Sequence, residues 1–150
     1  MIIENIEFEK LDETNFHLLM EWKNRNKEFF FNKRDISMKQ HIEWFDNFKK
    51  DENNLMFLIK YDSEYIGSIG ARIIDSKWDI FNVMNINSFN KGMGIMSFSL
   101  HEIIKKIRLL KRLPVTAKVL NTNKNLNWYL KNNFIISDEF PKFFLIKYVK

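Results

Sequence analysis

The spacing of hydrophobic positions changes several times along the chain, and each change predicts an element. Residues 2–10 alternate apolar and polar through Ile6 and Phe8, the pattern of a half-buried strand. Beyond Asp12 or Thr14, either of which can cap a helix, Phe16, Leu19, Met20, Trp22 and Lys23 recur at helical spacing and predict a helix to about residues 24–26. The loop 27–35 then carries Phe29, Phe30 and Phe31, which cannot all enter one core, so part of this run lines a pocket or interface. Ser37 with Gln40 makes a capping-box pattern before a second helix bearing Ile42, Phe45 and Phe48, ending near Lys50.

Three strands follow, at 55–61, 65–74 and 78–87, separated by turns at 62–64 and 75–77; they predict an antiparallel meander. A loop with Gly92 and Gly94 opens the longest helix, whose apolar stripe is Met96, Leu100, Ile103, Ile104, Ile107 and Leu110. After Pro114 come a strand at 115–120, a polar loop, a helix at 123–132 with Leu126, Tyr129 and Leu130 on one face, and strands opening at Asn133–Phe134 and at Phe143. This order predicts an α+β fold flanked by helices, in which the long helix joins 78–87 and 115–120 as parallel neighbours. No repeat or low-complexity linker divides the chain.

Composition narrows the classes. The 150 residues suit one domain, 1–150, and the apolar (45%) and charged (29%) fractions suit a folded globular chain. No apolar run reaches membrane-spanning length and the first residues do not read as a secretory signal, so a cytoplasmic protein without a membrane partner is expected. The absence of cysteine excludes disulfides, thiolate nucleophiles and cysteine-ligated metals. His17, His41 and His101 have no metal-ligand spacing, and His17 and His101 are expected to face solvent. A net charge of +5 points to an anionic partner without naming it.

Residues 83–100 supply the chemistry. A strand running through two glycines into a helix presents unpaired amides and the positive end of a helix dipole to one point, which is an anion site. Two of the four glycines lie here, a local demand for close backbone approach.

In order and in residues, the chain resembles the GNAT family, the Gcn5-related N-acetyltransferases, over essentially its whole length. The resemblance rests on Asn90, Lys91, Gly92, Met93 and Gly94, on the long helix behind them, and on the segment from Asn121 through Tyr129 to Asn133 and Phe134. Phe89 stands where the family pattern has Gln or Arg, and Asn133 where it has Gly. The resemblance implies a mixed sheet whose parallel strands splay apart, acetyl-coenzyme A as co-substrate, and direct transfer without a metal. It implies that Met84, Asn85 and Ile86 pair with the pantetheine arm, that Asn90, Lys91, Gly92, Met93, Gly94 and Ile95 cradle the pyrophosphate, and that Phe89, Asn121, Asn123 and Asn127 are further cofactor-binding positions.

By the same resemblance Tyr129 falls at the general-acid tyrosine, with a one-residue shift open. Asp79, or Phe81 in the neighbouring register, falls at the position of the general base, and His41 is a second candidate for a base or acceptor ligand. Trp22, Asn24 and Arg25, followed by His41 and Trp44, resemble a branch that acetylates amino groups on nucleotide-linked deoxy sugars. Trp22, Phe30 and Trp44 can stack on rings, while Arg25, Lys33 and Arg34 can meet a diphosphate. The expected function is acetylation of an amino-sugar nucleotide for surface-glycan synthesis. A branch acting on protein N-termini shares part of the motif and is the alternative. A non-catalytic nucleic-acid-binding module ranks third, because no basic recognition helix accompanies the high pI, so no nucleic-acid partner is expected. A homodimer is left open.

Overall fold

The fold is described by a computed structural model, for residues 1–87 and 90–150. Its elements are β1 (Ile6–Lys10), α1 (Phe16–Arg25), α2 (Met38–Phe48), β2 (Leu55–Tyr61), β3 (Glu64–Ile74), β4 (Lys77–Asn85), α3 (Ile95–Leu110), β5 (Val115–Leu120), α4 (Leu126–Lys131), β6 (Phe134–Glu139) and β7 (Phe143–Tyr148). All seven strands form one sheet in the order β1-β2-β3-β4-β5-β7-β6. The predicted meander is present, and β4 and β5 are the predicted parallel pair.

Two short turns set the meander. Asp62 and Ser63, and again Asp75 and Ser76, all have positive φ, as two-residue hairpin turns of matching twist require. The second turn fixes a register in which Ile74 opposes Lys77 and Arg72 opposes Asp79. Period-two alternation then sends side chains to opposite layers. Phe57, Ile59, Trp78 and Ile80 join Ile95, Leu100, Ile103, Ile104 and Ile107 of α3 beneath the sheet. Met56, Leu58 and Met84 join Leu19 and Trp22 of α1 above it. Each fully buried aliphatic side chain of this kind contributes roughly 1.5–3 kcal/mol by leaving water.

The capping box at α2 is formed in both directions, with the Gln40 amide donating to Ser37 Oγ at 3.2 Å and the Ser37 amide donating to Gln40 Oε1 at 3.0 Å. Several expectations need correction. Residues 3–5 make a short 3₁₀ turn, so the first strand starts at Ile6 and not Ile2. Neither Asp12 nor Thr14 caps α1; Asp12 instead accepts from the Thr14 amide in the turn before it. Leu110, at the last position of α3, and Leu130, on the six-residue α4, are exposed. His101 is half-buried and bonded to Asn132 and Tyr148, and His17 is also half-buried, so neither simply faces solvent.

Candidate active site

β4 and β5 are joined at three positions: Trp78 with Val115, Asp79 with Thr116, and Ile80 with Ala117. Beyond them the strands part. The cause lies on the other side of β4, where Gly70 opposes Phe81 but Ser68 opposes Met84, so β4 carries one extra residue. Asn82 takes the left-handed conformation in this bulge (φ 50°), which a short amide side chain tolerates, and Ser68 Oγ donates to its carbonyl at 2.7 Å. Gly67 lets β3 follow the bent strand: a Cβ there would lie 1.8 Å from the Met84 carbonyl oxygen. Among the described residues, 81–85 and 118–120 therefore have no strand partner across the gap.

The gap opens onto two cavities that share Val83. The first, about 480 Å³, lies at the start of α3 between Asn85, Lys91, Gly94, Ser97 and Trp128. Gly94 is the N-cap of α3, and the Phe98 amide closes the first turn on its carbonyl at 2.9 Å, leaving the amides of Ile95, Met96 and Ser97 without an intrahelical acceptor. Gly92 and Gly94 have φ of 84° and 79°, and a Cβ at either would meet nothing within 4 Å. Their left-handed backbone is therefore enough to call for glycine at both positions. Trp128 is held here by its Nε1, which donates to Ser97 Oγ at 3.0 Å.

The second cavity, about 400 Å³, lies on the α1–α2 side. Its floor includes Asp79 and Tyr129; its walls carry Lys23, Arg72 and Lys118, and aromatic rings of the 29–31 loop and Trp44. Asp79 is buried and accepts from Arg72 Nε at 2.9 Å. Burial pushes the Asp79 carboxyl above its ordinary value, and the hydrogen bond and charge of Arg72, followed by the charge of Lys118, offset only part of that rise. Tyr129 reaches the cavity from α4, and its hydroxyl makes no hydrogen bond among the described residues. Burial, with the nearby Asp79 charge, holds it well above the usual phenol range, so it stays protonated at neutral pH. Burial also pushes the Lys23 ammonium down, aided by the Arg72 charge, and its Nζ lies 5.1 Å from the Phe30 ring centre.

No family model matches this sequence, and no curated protein does. Solved structures match along nearly the whole chain. The Campylobacter jejuni N-acetyltransferase PseH, solved also with acetyl coenzyme A, superposes with a TM-score of 0.70 at 23% identity, over 95% of this chain and 96% of that one. A spermidine N-acetyltransferase from Vibrio cholerae in complex with CoA and spermine gives 0.80 at 14% identity, over 96% and 95%. A ribosomal-protein-alanine N-acetyltransferase from Brucella melitensis gives 0.76 at 13%, over 96% and 99%. The chain has the GNAT fold. At these identities the likeness is one of architecture: a mixed sheet with a split parallel pair.

Within the GNAT fold the residues singled out from sequence divide into three groups. Asn85, Asn90, Lys91, Gly92, Gly94 and Ile95 line the first cavity, while Asn24, Phe30, Trp44, Asp79, Phe81, Asn123 and Tyr129 line the second. Others are placed elsewhere. Trp22 is buried against Tyr65, Met84 packs in the upper core with Ile86 beside it, Met93 and Arg25 are exposed, and Asn121 donates to the Pro141 carbonyl. Asn127 is exposed on α4 and lines neither cavity, and Lys33 bonds the Glu28 carbonyl. His41 is buried, donating Nε2 to the Phe16 carbonyl at 2.6 Å between the stacked rings of Phe16 and Trp44, so it ties α2 to α1 and lines neither cavity. Phe89 lies outside the described residues. No group of three or more metal-ligating side chains occurs among the described residues, and no helix among them is long and apolar enough to cross a membrane.

Sequence reasoning did not single out Arg72, Lys118 or Trp128 as site residues, took Val83 only within the stretch 83–100, and read Lys23 only as part of a helical spacing. Arg72 was within reach, since the two-residue turn at 75–76 dictates that it opposes Asp79. Lys118 and Trp128 belong to the site only through the parting of β4 from β5, which no local pattern announces.

Proposed function

We propose that the protein is an acetyl-coenzyme A dependent N-acetyltransferase whose acceptor is a nucleotide-linked amino sugar. The observation that carries this reading is the meeting of the two cavities at Val83, with Asp79 and Tyr129 on the acceptor side of the junction. The first cavity suits the donor: unpaired first-turn amides and Lys91 fit a pyrophosphate, and the open edge of β4 fits the amides of a pantetheine arm. Bound there, acetyl-coenzyme A supplies an acetyl thioester. Asp79 accepts a proton from the neutral amine as nitrogen bonds to the acetyl carbon. Tyr129 gives its phenolic proton to sulfur as the carbon–sulfur bond breaks, and solvent restores both groups.

The acceptor class is supported by charge. Lys23, Lys27, Arg34, Arg72 and Lys118 line the second cavity, and Asp79 is the one acid among its described lining residues. Lys27 is paired with Asp35 and Arg72 with Asp79, and among the described residues no carboxylate pairs with Lys23, Arg34 or Lys118. Such a cavity repels a polyamine and attracts an amine carried on a diphosphate, while Phe30 and Trp44 offer faces to a sugar or base. Mixing the protein with acetyl-coenzyme A and a panel of amino-sugar nucleotides, spermidine and N-terminal peptides, and following thiol release, tests the reading. Release with the nucleotide sugars alone is expected; release with only spermidine or only peptides would replace this acceptor.

A further inference from the structure

We infer that Arg72 is the positioning residue for Asp79: from the neighbouring strand it orients the carboxylate toward the acceptor cavity and holds it ionised. The inference rests on the reading of Asp79 as the group that takes the amine proton. Arg72 and Asp79 are directly opposed in the β3–β4 register, so the pair is built into the hairpin and does not depend on a flexible loop. Arg72 Nε donates to Asp79 Oδ2 at 2.9 Å. The other carboxylate oxygen has no hydrogen bond among the described residues and is free to receive a proton from the cavity.

Arg72 is itself clamped. Its guanidinium carbon lies 4.1 Å from the centre of the Phe81 ring, two residues along β4 from Asp79 on the same face, and this stacking fixes the plane of the fork. The charged and titratable groups around Asp79 are Arg72 from β3, Lys118 from β5 and Tyr129 from α4, with Lys23 of α1 acting on Arg72. Among the described residues only Arg72 forms a hydrogen bond to the carboxylate, and Lys118 is exposed where Arg72 is half-buried. A carboxylate buried to this degree would otherwise hold its proton to higher pH and could not receive another.

The test reads the carboxylate itself and needs no acceptor. In ¹³C-labelled protein the Asp79 carboxyl resonance, assigned through Asp79→Asn, is followed from pH 3 to 9 in the wild type, Arg72→Gln and Arg72→Lys. The midpoint should rise by at least about one unit, a tenfold change in proton affinity, in Arg72→Gln and by less in Arg72→Lys. In the wild type, which covers the case in which a variant does not fold, the Arg72 Nε–H resonance should shift with the same midpoint as the carboxyl. A carboxyl midpoint unmoved in Arg72→Gln, or an Arg72 signal that ignores the titration, overturns the inference. Either result leaves open whether Asp79 is the base, because that is decided by the turnover of Asp79→Asn.

Discussion

Ile80 and Ala117 are the last residues joined between β4 and β5, and everything proposed for the site follows from what happens two residues later along β4. Up to that pair the sheet is continuous. Past it, the bulge at Asn82 has turned β4 aside, and a tyrosine from α4 and a carboxylate from β4 come to line one cavity.

If Tyr129 protonates the departing sulfur, removing one oxygen should matter to the chemistry alone. Tyr129→Phe is expected to lower kcat by about 100-fold, the usual share of a general acid. Its affinity for coenzyme A in calorimetry should stay within twofold. Unchanged turnover would take Tyr129 out of the mechanism.

Asp79 presents the opposite balance of stability and function. Because burial raises its folded-state value above that of the unfolded chain, the ionised form costs stability at neutral pH, and stability is gained as pH falls through the folded value. Asp79→Asn should therefore melt at the wild-type temperature or above it while losing about 100-fold or more in turnover. A lowered Tm with full activity would refute both halves.

Gly94 caps α3 at φ 79° with open space where a Cβ would go. Gly94→Ala thus introduces no clash, only an unfavourable left-handed residue, at a cost of about 1–2 kcal/mol. Urea unfolding should show that loss, and coenzyme A affinity should fall at least tenfold if these amides form the cradle. Full affinity at reduced stability would move the pyrophosphate elsewhere.

His41 should mark the acid side of the stability curve. Burial pushes its imidazole below the ordinary value of 6.5, although the bond to the Phe16 carbonyl acts the other way. Protonation then favours the unfolded chain, so stability present above about 6.5 is lost as pH falls toward the folded value. Thermal melts at pH 7 and pH 5 should show this decline, and His41→Gln, which keeps a donor for the Phe16 carbonyl, should show a smaller one.

Where local chemistry decides local structure, the sequence was readable. Ser37 and Gln40 predict a capping box and form one; Leu55–Tyr61 and Val115–Leu120 occupy their expected spans. The start of α3 was legible for the same reason, since Gly92 and Gly94 stand just ahead of a long apolar stripe. The second cavity was less so. Arg72 and Lys118 come from β3 and β5, and only the sheet order sets them on either side of Asp79 in β4, while Lys23 joins them from α1. His41 misled because helical spacing gives its position but not its depth; the stacked rings of Phe16 and Trp44 enclose it.

A seven-stranded sheet ordinarily has two edges, but the parting of β4 and β5 gives this one a further pair inside the molecule. Exposed edges invite foreign strands and with them aggregation. Here the inner edges are walled by α3 and α4 residues on one side and by the aromatic loop and Trp44 on the other. Walls on both sides leave no flat approach for a strand of a second copy, so the split in the sheet does not become a seam for self-association.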